Sequence, residues 1–380
     1  MAFFTNHSLT FNIFITVINL YLKYEFCINM NQPTINTSKP AKRRGLKILS
    51  WFFSVLCLLL LLTYIAFQIS PWPSAMLIRY AFNKGGKATN LALDRFTPKN
   101  ISQELNIPYA DINNKETRLD LYFPPKDEHQ GNPAPLIIWI HGGAWLAGSK
   151  NDVGNYCKIL AGQKYIVAAV DYSLAPGSTY PTQLFQVNQA LAFLKKNAGK
   201  FNIDTSKFIL AGDSGGAQMA AQMAGTISDQ DYAKAIKIKP SLNRNQLAAV
   251  LLYCGAYDIS QVNLKGSSGW FLKSVLWSFT GDKHFMNNPA FNAISITGKV
   301  TPAFPPTFIS VGNNDPLAAH SYALASRLNN LGVKVDSLFF ANDHQPALPH
   351  EYQFNLEGKD GQLALKKSLQ FLAKYVNTPN

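Results

Sequence analysis

"FILAGDSGGAQMA", residues 208–220, runs four apolar residues into a cluster of glycines around one serine and out into Ala, Gln and Met. A surface serine needs no glycines beside it. A serine thrust from a sharp strand-to-helix turn does, because the turn closes only if its neighbours are small. Gly212, Ser214 and Gly216 meet the pattern G-x-S-x-G, and Phe208 to Ala211 is a continuous apolar run of the kind that strands buried on both faces show. Past the turn, Met219 and Met223, like Ala220 and Ala224, recur at helical spacing, with Gln218 and Gln222 on another face and Gly225 where the helix is expected to stop. Ser214 is therefore expected between strand and helix. The competing reading of the five residues alone is a glycine-rich turn with a passenger serine.

Working outward, the same alternation repeats. An extended "RLDLYFP" is followed by apolar "PLIIWI", by a helix spaced on Val153, Cys157 and Leu160 and closed by Gly162, and by apolar "YIVAAV". A helix opened by Pro181 carries Leu184, Val187, Leu191 and Leu194 to the strand before Ser214. Beyond it come "AAVLLYCGAYD", an interrupted segment from about Ile259 to Pro302, "TFISVGNND", a helix through Ala318 to Leu331, "KVDSLFF" and a last helix near Leu363 to Tyr375. Such alternation implies a mostly parallel central sheet with helices on both faces, and these sheets do their chemistry at the carboxyl ends of their strands. There stand His141 to Trp145, Asp171 to Pro176, Gly212 to Gly216, Asp315, and then His344 and His350. One sheet end gathers Ser, Asp and His in that chain order, the order of α/β-hydrolases rather than of other serine-hydrolase folds.

With these residues in hand, the chain from about Asp120 to Tyr375 resembles the hormone-sensitive-lipase-like esterases of the α/β-hydrolase superfamily, including bacterial membrane-anchored relatives. "HGGAW" is similar to the family's H-G-G-G oxyanion loop, "DYSLAP" to its Y-x-L-A-P signature, "GDSGG" to G-D-S-A-G and "NNDPL" to its D-P-L. The departures are Ala144 for a third glycine, Gly215 for an alanine and Gly177 for an acidic residue. The resemblance implies the α/β-hydrolase fold and a carboxylesterase with no metal and no cofactor. A serine hydroxyl attacks well only when a base takes its proton and an acid orients that base, which casts Ser214 as nucleophile, His350 as base and Asp315 as orienting acid. The backbone N–H groups of Gly142, Gly143 and Gly215 are the candidate oxyanion donors, and His141 is expected to hold the loop.

His350 is preferred to His344 because "HEYQF" is similar to the family's H-x-F. Asp213 is expected to be structural, and a turn-forming role before Pro316 is the competing reading of Asp315. The stretch 266–291, with Trp270, Phe271, Leu276, Trp277 and Phe279, reads either as a lid lining the acyl pocket or as ordinary aromatic packing. The rival functions are a serine peptidase of the same fold and a non-catalytic hydrolase-fold module for binding or adhesion.

The N-terminus carries a different signal. Ile48 to Ile69 is uncharged and about long enough to cross a bilayer, and Lys39, Lys42, Arg43, Arg44 and Lys47 stand directly before it. The charge bias keeps that end cytoplasmic and puts the rest on the far side as a single-pass signal anchor; a cleaved signal is the competing reading. The expected organisation is a cytoplasmic segment 1–47, a transmembrane helix 48–69, a helical spacer or lid 70–100 made of short helices joined through Gly85 and Gly86, and a hydrolase domain 101–380 with an insertion near 259–302. Met30 opens an ordinary polar lead-in, so residues 1–29 are expected to be a gene-model artefact; if they are translated, Phe11 to Leu22 is too short to span and suits a membrane surface. The formal charge of +13 is spread without a dense basic run or aromatic platform, which argues against nucleic acid and for anionic lipid. The four cysteines include no C-x-x-C pair or other metal-ligand spacing, and Cys157 and Cys254 are expected to be buried free thiols.

Overall fold

The computed structural model describes residues 40–125, 132–266 and 268–376. Cys27, Met30 and the Phe11 to Leu22 stretch lie outside them. The described chain forms two units, one reaching Ser70 with Asn263–Phe271, the other Pro71–Val262 with the chain from Leu272 onward.

The first unit carries helix α1, Pro40–Ile69, within which Gly45–Ile69 is long and apolar enough to cross a membrane, with its most apolar stretch wholly exposed. The second unit is built on an eight-stranded sheet in the order β1-β2-β4-β3-β5-β6-β7-β8. Its strands are β1 Ser102–Pro108, β2 Arg118–Phe123, β3 Ala134–Ile140, β4 Ile166–Val170, β5 Ile203–Asp213, β6 Leu247–Tyr253, β7 Thr307–Val311 and β8 Val335–Phe339. From β4 through β8 all pairings are parallel, while β1 and β2 are antiparallel at one edge. The central strands are apolar along their length because helices cover both faces; Leu136 to Ile140 are entirely buried. β1 escapes sequence reading because Ser102–Pro108 is an exposed edge strand with no apolar alternation, broken by a bulge between Glu104 and Ile107.

Helices α2 Trp72–Leu93, α3 Gly154–Ala161, α4 Thr182–Lys196, α5 Ser214–Ser228, α6 Gly269–Thr280, α7 Ala318–Asn330 and α8 Lys359–Tyr375 accompany the sheet. Two differ from expectation. α2 is one helix where two short ones were read. Gly85 and Gly86 do not break it, and a Cβ on Gly86 would stand only 3.0 Å from the Asp152 carboxyl carbon, so the glycine admits a close neighbour. α5 runs past Gly225 to Ser228; a side chain at Gly225 would meet Ile296 Cδ1 at 2.6 Å, so it marks helix packing, not an end. Gln218 and Gln222 are fully buried on α5: Gln218 Nε2 donates to Gln222 Oε1 at 2.9 Å and Gln222 Nε2 donates to the Tyr180 and Tyr232 hydroxyls, while Gln218 Oε1 finds no partner among the described residues.

A buried ion pair fixes the antiparallel edge to the site. Lys150 Nζ lies 3.0 Å from Asp120 Oδ1 on β2 and donates to Asn106 Oδ1 at 2.9 Å, while the Lys150 N–H donates to Asp171 Oδ1 at 2.6 Å. Breaking such a pair leaves an uncompensated buried charge.

Candidate active site

The turn around Ser214 follows from the approach of β3. A Cβ on Gly212 would stand 2.7 Å from Ile140 O, and one on Gly216 would collide with the same carbonyl, so the two glycines let the Ser214 turn pass close to β3. Ser214 itself sits at φ 51°, a left-handed conformation that costs a residue with a Cβ about 1–2 kcal/mol. That strain holds the hydroxyl at the start of α5, where the first N–H groups lack intrahelical acceptors.

Loops at the carboxyl ends of β7 and β8 bring two partners. His350 Nε2 is 2.9 Å from Ser214 Oγ, and His350 Nδ1 is 2.8 Å from Asp315 Oδ2. Because a carboxylate only accepts, Nδ1 carries the proton, which leaves the Nε2 lone pair facing the serine hydroxyl. Asp315 has a fully buried side chain, while that of His350 is 32% exposed. Burial favours the neutral ring, but the Cys254 sulfur, the Asp315 hydrogen bond and the Glu351 carboxylate outweigh it and hold the His350 pKa above its usual value. His344, the alternative histidine, pairs with Asp360 at 3.1 Å instead.

Facing Ser214 is the loop after β3. Gly143, Ala144 and Trp145 all have positive φ, which curls residues 143–148 back on themselves, and the Gly143 carbonyl accepts from Leu146 and Ala147. The Gly142 N–H, one of the three donors expected from sequence, already donates to Asp213 Oδ2 at 2.8 Å. Among the described residues, the N–H groups of Gly143, Ala144 and Gly215 donate to no protein acceptor. Of the three expected donors, Gly142 is thus engaged by Asp213, while Gly143 and Gly215, like Ala144 in the curl of the loop, keep their N–H groups unengaged by protein acceptors among the described residues. His141 is buried with Nδ1 2.8 Å from its neighbour's carbonyl, Gly142 O, and stacks on Tyr172 with ring centroids 4.3 Å apart. Burial lowers its pKa to about 4, so it is neutral and braces the loop.

Sequence reading missed four contributors. Asp213, expected only to be structural, also accepts from Trp139 Nε1 at 2.7 Å. Burial, then the Glu351 carboxylate, pushes the Asp213 pKa well above the carboxylate range. Glu351 stands next to His350, with Oε1 3.9 Å from Nε2. Trp145 donates from Nε1 to Gly215 O at 3.0 Å and occupies the space an alanine methyl would need at 215. Cys254 follows β6 with its sulfur within 4.8 Å of ligand atoms of Asp315 and His350. These three could share a metal ion only by giving up the contacts just described. The Cys254 thiol is pushed up to about 11 by burial, and Cys157 and Cys254 are both free. The apolar run of β6 pointed to this strand end, but nothing local marked Cys254.

The two readings of the 266–291 aromatics meet at one residue. Phe279 on α6 is fully buried, stacks on Trp145 at 4.3 Å and meets Tyr180 edge-on at 5.5 Å. The insertion thus packs and, in packing, buttresses the loop opposite Ser214.

A family model described as BD-FAE matches residues 119–328. Esterase LipQ of Mycobacterium tuberculosis is 27% identical over 242 residues, which is 62% of this chain and 55% of LipQ. Esterase LipC of the same organism is 29% identical over 187 residues, 48% of this chain and 45% of LipC. The chain thus spans about half the length of these curated relatives. The crystal structure of esterase B from Lactobacillus Rhamnosis superposes with a TM-score of 0.63 at 22% identity, covering 80% of this chain and 97% of that one, and has the same fold.

Proposed function

The chain belongs to the BD-FAE family, and from that membership we propose that it is a serine carboxylesterase acting on esters of small or medium acyl groups. The observation that carries this reading is the unbroken contact from Asp315 through His350 to Ser214. His350 Nε2 takes the proton of Ser214 Oγ as the oxygen attacks the ester carbonyl, and the imidazolium so formed is stabilised by Asp315. The carbonyl oxygen, now negative, receives the N–H groups of Gly143, Ala144 and Gly215; one such donor is worth about 3 kcal/mol of transition-state stabilisation. His350 returns the proton to the leaving alcohol, and water then cleaves the acyl-serine by the same steps. An uncharged stretch like Ile48–Ile69 of α1, directly preceded by five basic residues, suits a single-pass anchor with a cytoplasmic N-terminus and the hydrolase unit on the far side of the membrane.

The test uses the full chain in detergent, wild type beside Ser214→Ala, against p-nitrophenyl esters of increasing acyl length. Hydrolysis by wild type alone supports the reading and its chain-length optimum sizes the acyl pocket. Activity that survives in Ser214→Ala, or cleavage of peptides but not esters, contradicts it.

A further inference from the structure

Helix α2 begins three residues after the end of α1, and two of its faces do different work. Arg79 donates from Nε to Leu146 O at 2.7 Å and from Nη2 to Ala175 O at 2.9 Å. One turn on, Asn83 Oδ1 accepts from Gly148 N at 2.9 Å; Gly86 then abuts Asp152, and Asn90 Oδ1 accepts from Asn155 N at 2.9 Å. Residues 79, 83, 86 and 90 share one stripe at helical spacing, so α2 is fastened along its length to residues 146–155, which continue the oxyanion loop. Ser74, Ala75, Ile78 and Leu93 are buried beside that stripe.

The outer face is apolar. Met76, Leu77, Tyr80 and Leu91 are 51%, 58%, 73% and 74% exposed, and Lys84 and Lys87 are exposed among them. At 3.6 residues per turn these six fall within an arc of about 100°. Trp72–Leu93 contains no Asp or Glu. A soluble surface helix places charges where this one places Leu, Met and Tyr, whereas an interfacial helix shows this combination of apolar residues, an aromatic and lysines without acids.

We propose that α2 lies on the membrane surface, with Met76, Leu77, Tyr80 and Leu91 at the headgroup–acyl boundary and Lys84 and Lys87 among anionic headgroups, while its inner face braces the oxyanion loop. A helix of bilayer length ends at Ile69, and chain continuity then starts Trp72 at the interface. This inference rests on the anchor and esterase readings above, and it names the substrate class as ester lipids resident in that bilayer. Bilayer contact and loop position then belong to one rigid element.

The test reconstitutes the full chain, carrying the photocrosslinker p-benzoyl-phenylalanine in place of Tyr80, into phosphatidylcholine vesicles with and without phosphatidylglycerol. Lipid adducts at position 80, richer with phosphatidylglycerol, are expected. A carbonate-resistant chain without lipid adducts overturns the proposal, as do adducts to a second copy of the chain; a chain washed off by carbonate overturns it together with the anchor. In parallel, the triple variant Met76→Glu, Leu77→Glu, Tyr80→Glu is expected to lose at least about tenfold on a diacylglycerol presented in the vesicles while cleaving p-nitrophenyl butyrate in detergent within about twofold of wild type. Equal effects on both substrates overturn the proposal. A wild type silent on both esters overturns the esterase reading, and the crosslink alone then decides where α2 lies.

Discussion

The carboxylate of Asp213 accepts the Gly142 N–H at 2.8 Å, so the residue before Ser214 holds the loop that faces it. The same side chain accepts from Trp139 on β3, which ties the strand, the loop and the nucleophile turn at one point. Asp213→Ala leaves two buried N–H groups without acceptors. The expected outcome is a fall in kcat of about 10²-fold with KM changed little, because the loop donors matter most when the oxyanion forms. Steady-state kinetics on p-nitrophenyl butyrate, with a melting curve to establish folding, checks this; a change confined to KM contradicts it.

The pair formed by Asp213 and Glu351 gives the activity a pH signature. His350 must be neutral to accept a proton, so activity rises as pH climbs through its raised pKa, and the acid limb lies above the usual imidazole value of about 6.5. On the alkaline side Asp213 loses its proton at its raised pKa, and two carboxylates then face each other behind the loop after β3. Glu351→Gln removes one of them and also removes an anion that favours the imidazolium. Both limbs of the kcat/KM profile are expected to move outward, the acid limb down and the alkaline limb up. Limbs that stay put would show that the pair has no part in the titration.

Stability should depend sharply on Lys150. Its ammonium and the Asp120 carboxylate are 4% and 3% exposed, so Lys150→Ala strands a buried carboxylate. The expected loss is about 3–5 kcal/mol, read as a lower urea midpoint with unchanged slope. A loss below about 1 kcal/mol would mean the pair contributes no more than an exposed one.

Phe279→Ala should act on two levels. Removing a fully buried ring costs about 3–5 kcal/mol, and it withdraws the ring stacked on Trp145. Since Trp145 bonds to Gly215 O, kcat on p-nitrophenyl butyrate is expected to fall at temperatures where the variant is still folded. Phe279→Tyr, which keeps the ring, is expected to retain most activity.

Sequence reasoning reached the strands from β2 to β8 because apolar runs buried on both faces are visible one residue at a time, and it reached the nucleophile turn because Gly212 and Gly216 are required by a single carbonyl, Ile140 O. It missed what depends on distant packing. Gly85 and Gly86 look like a break until Asp152 is seen against the helix, and Gly225 looks like an end until Ile296 is. That the Gly142 N–H is engaged depends on where the Asp213 carboxylate points, and Glu351 reaches Asp213 only because the loop after β8 folds back against β5. The outer face of α2 was legible as composition, but the stripe that fastens it to the loop was not.

The most direct test of the central claim is covalent capture. The full chain in detergent is treated with an alkyl fluorophosphonate and the modified residue located by peptide mass spectrometry. One adduct is expected, on Ser214, formed at a rate that falls by orders of magnitude in His350→Ala, in step with the loss of ester hydrolysis. An adduct on another residue, or a Ser214 reaction indifferent to His350, would contradict it.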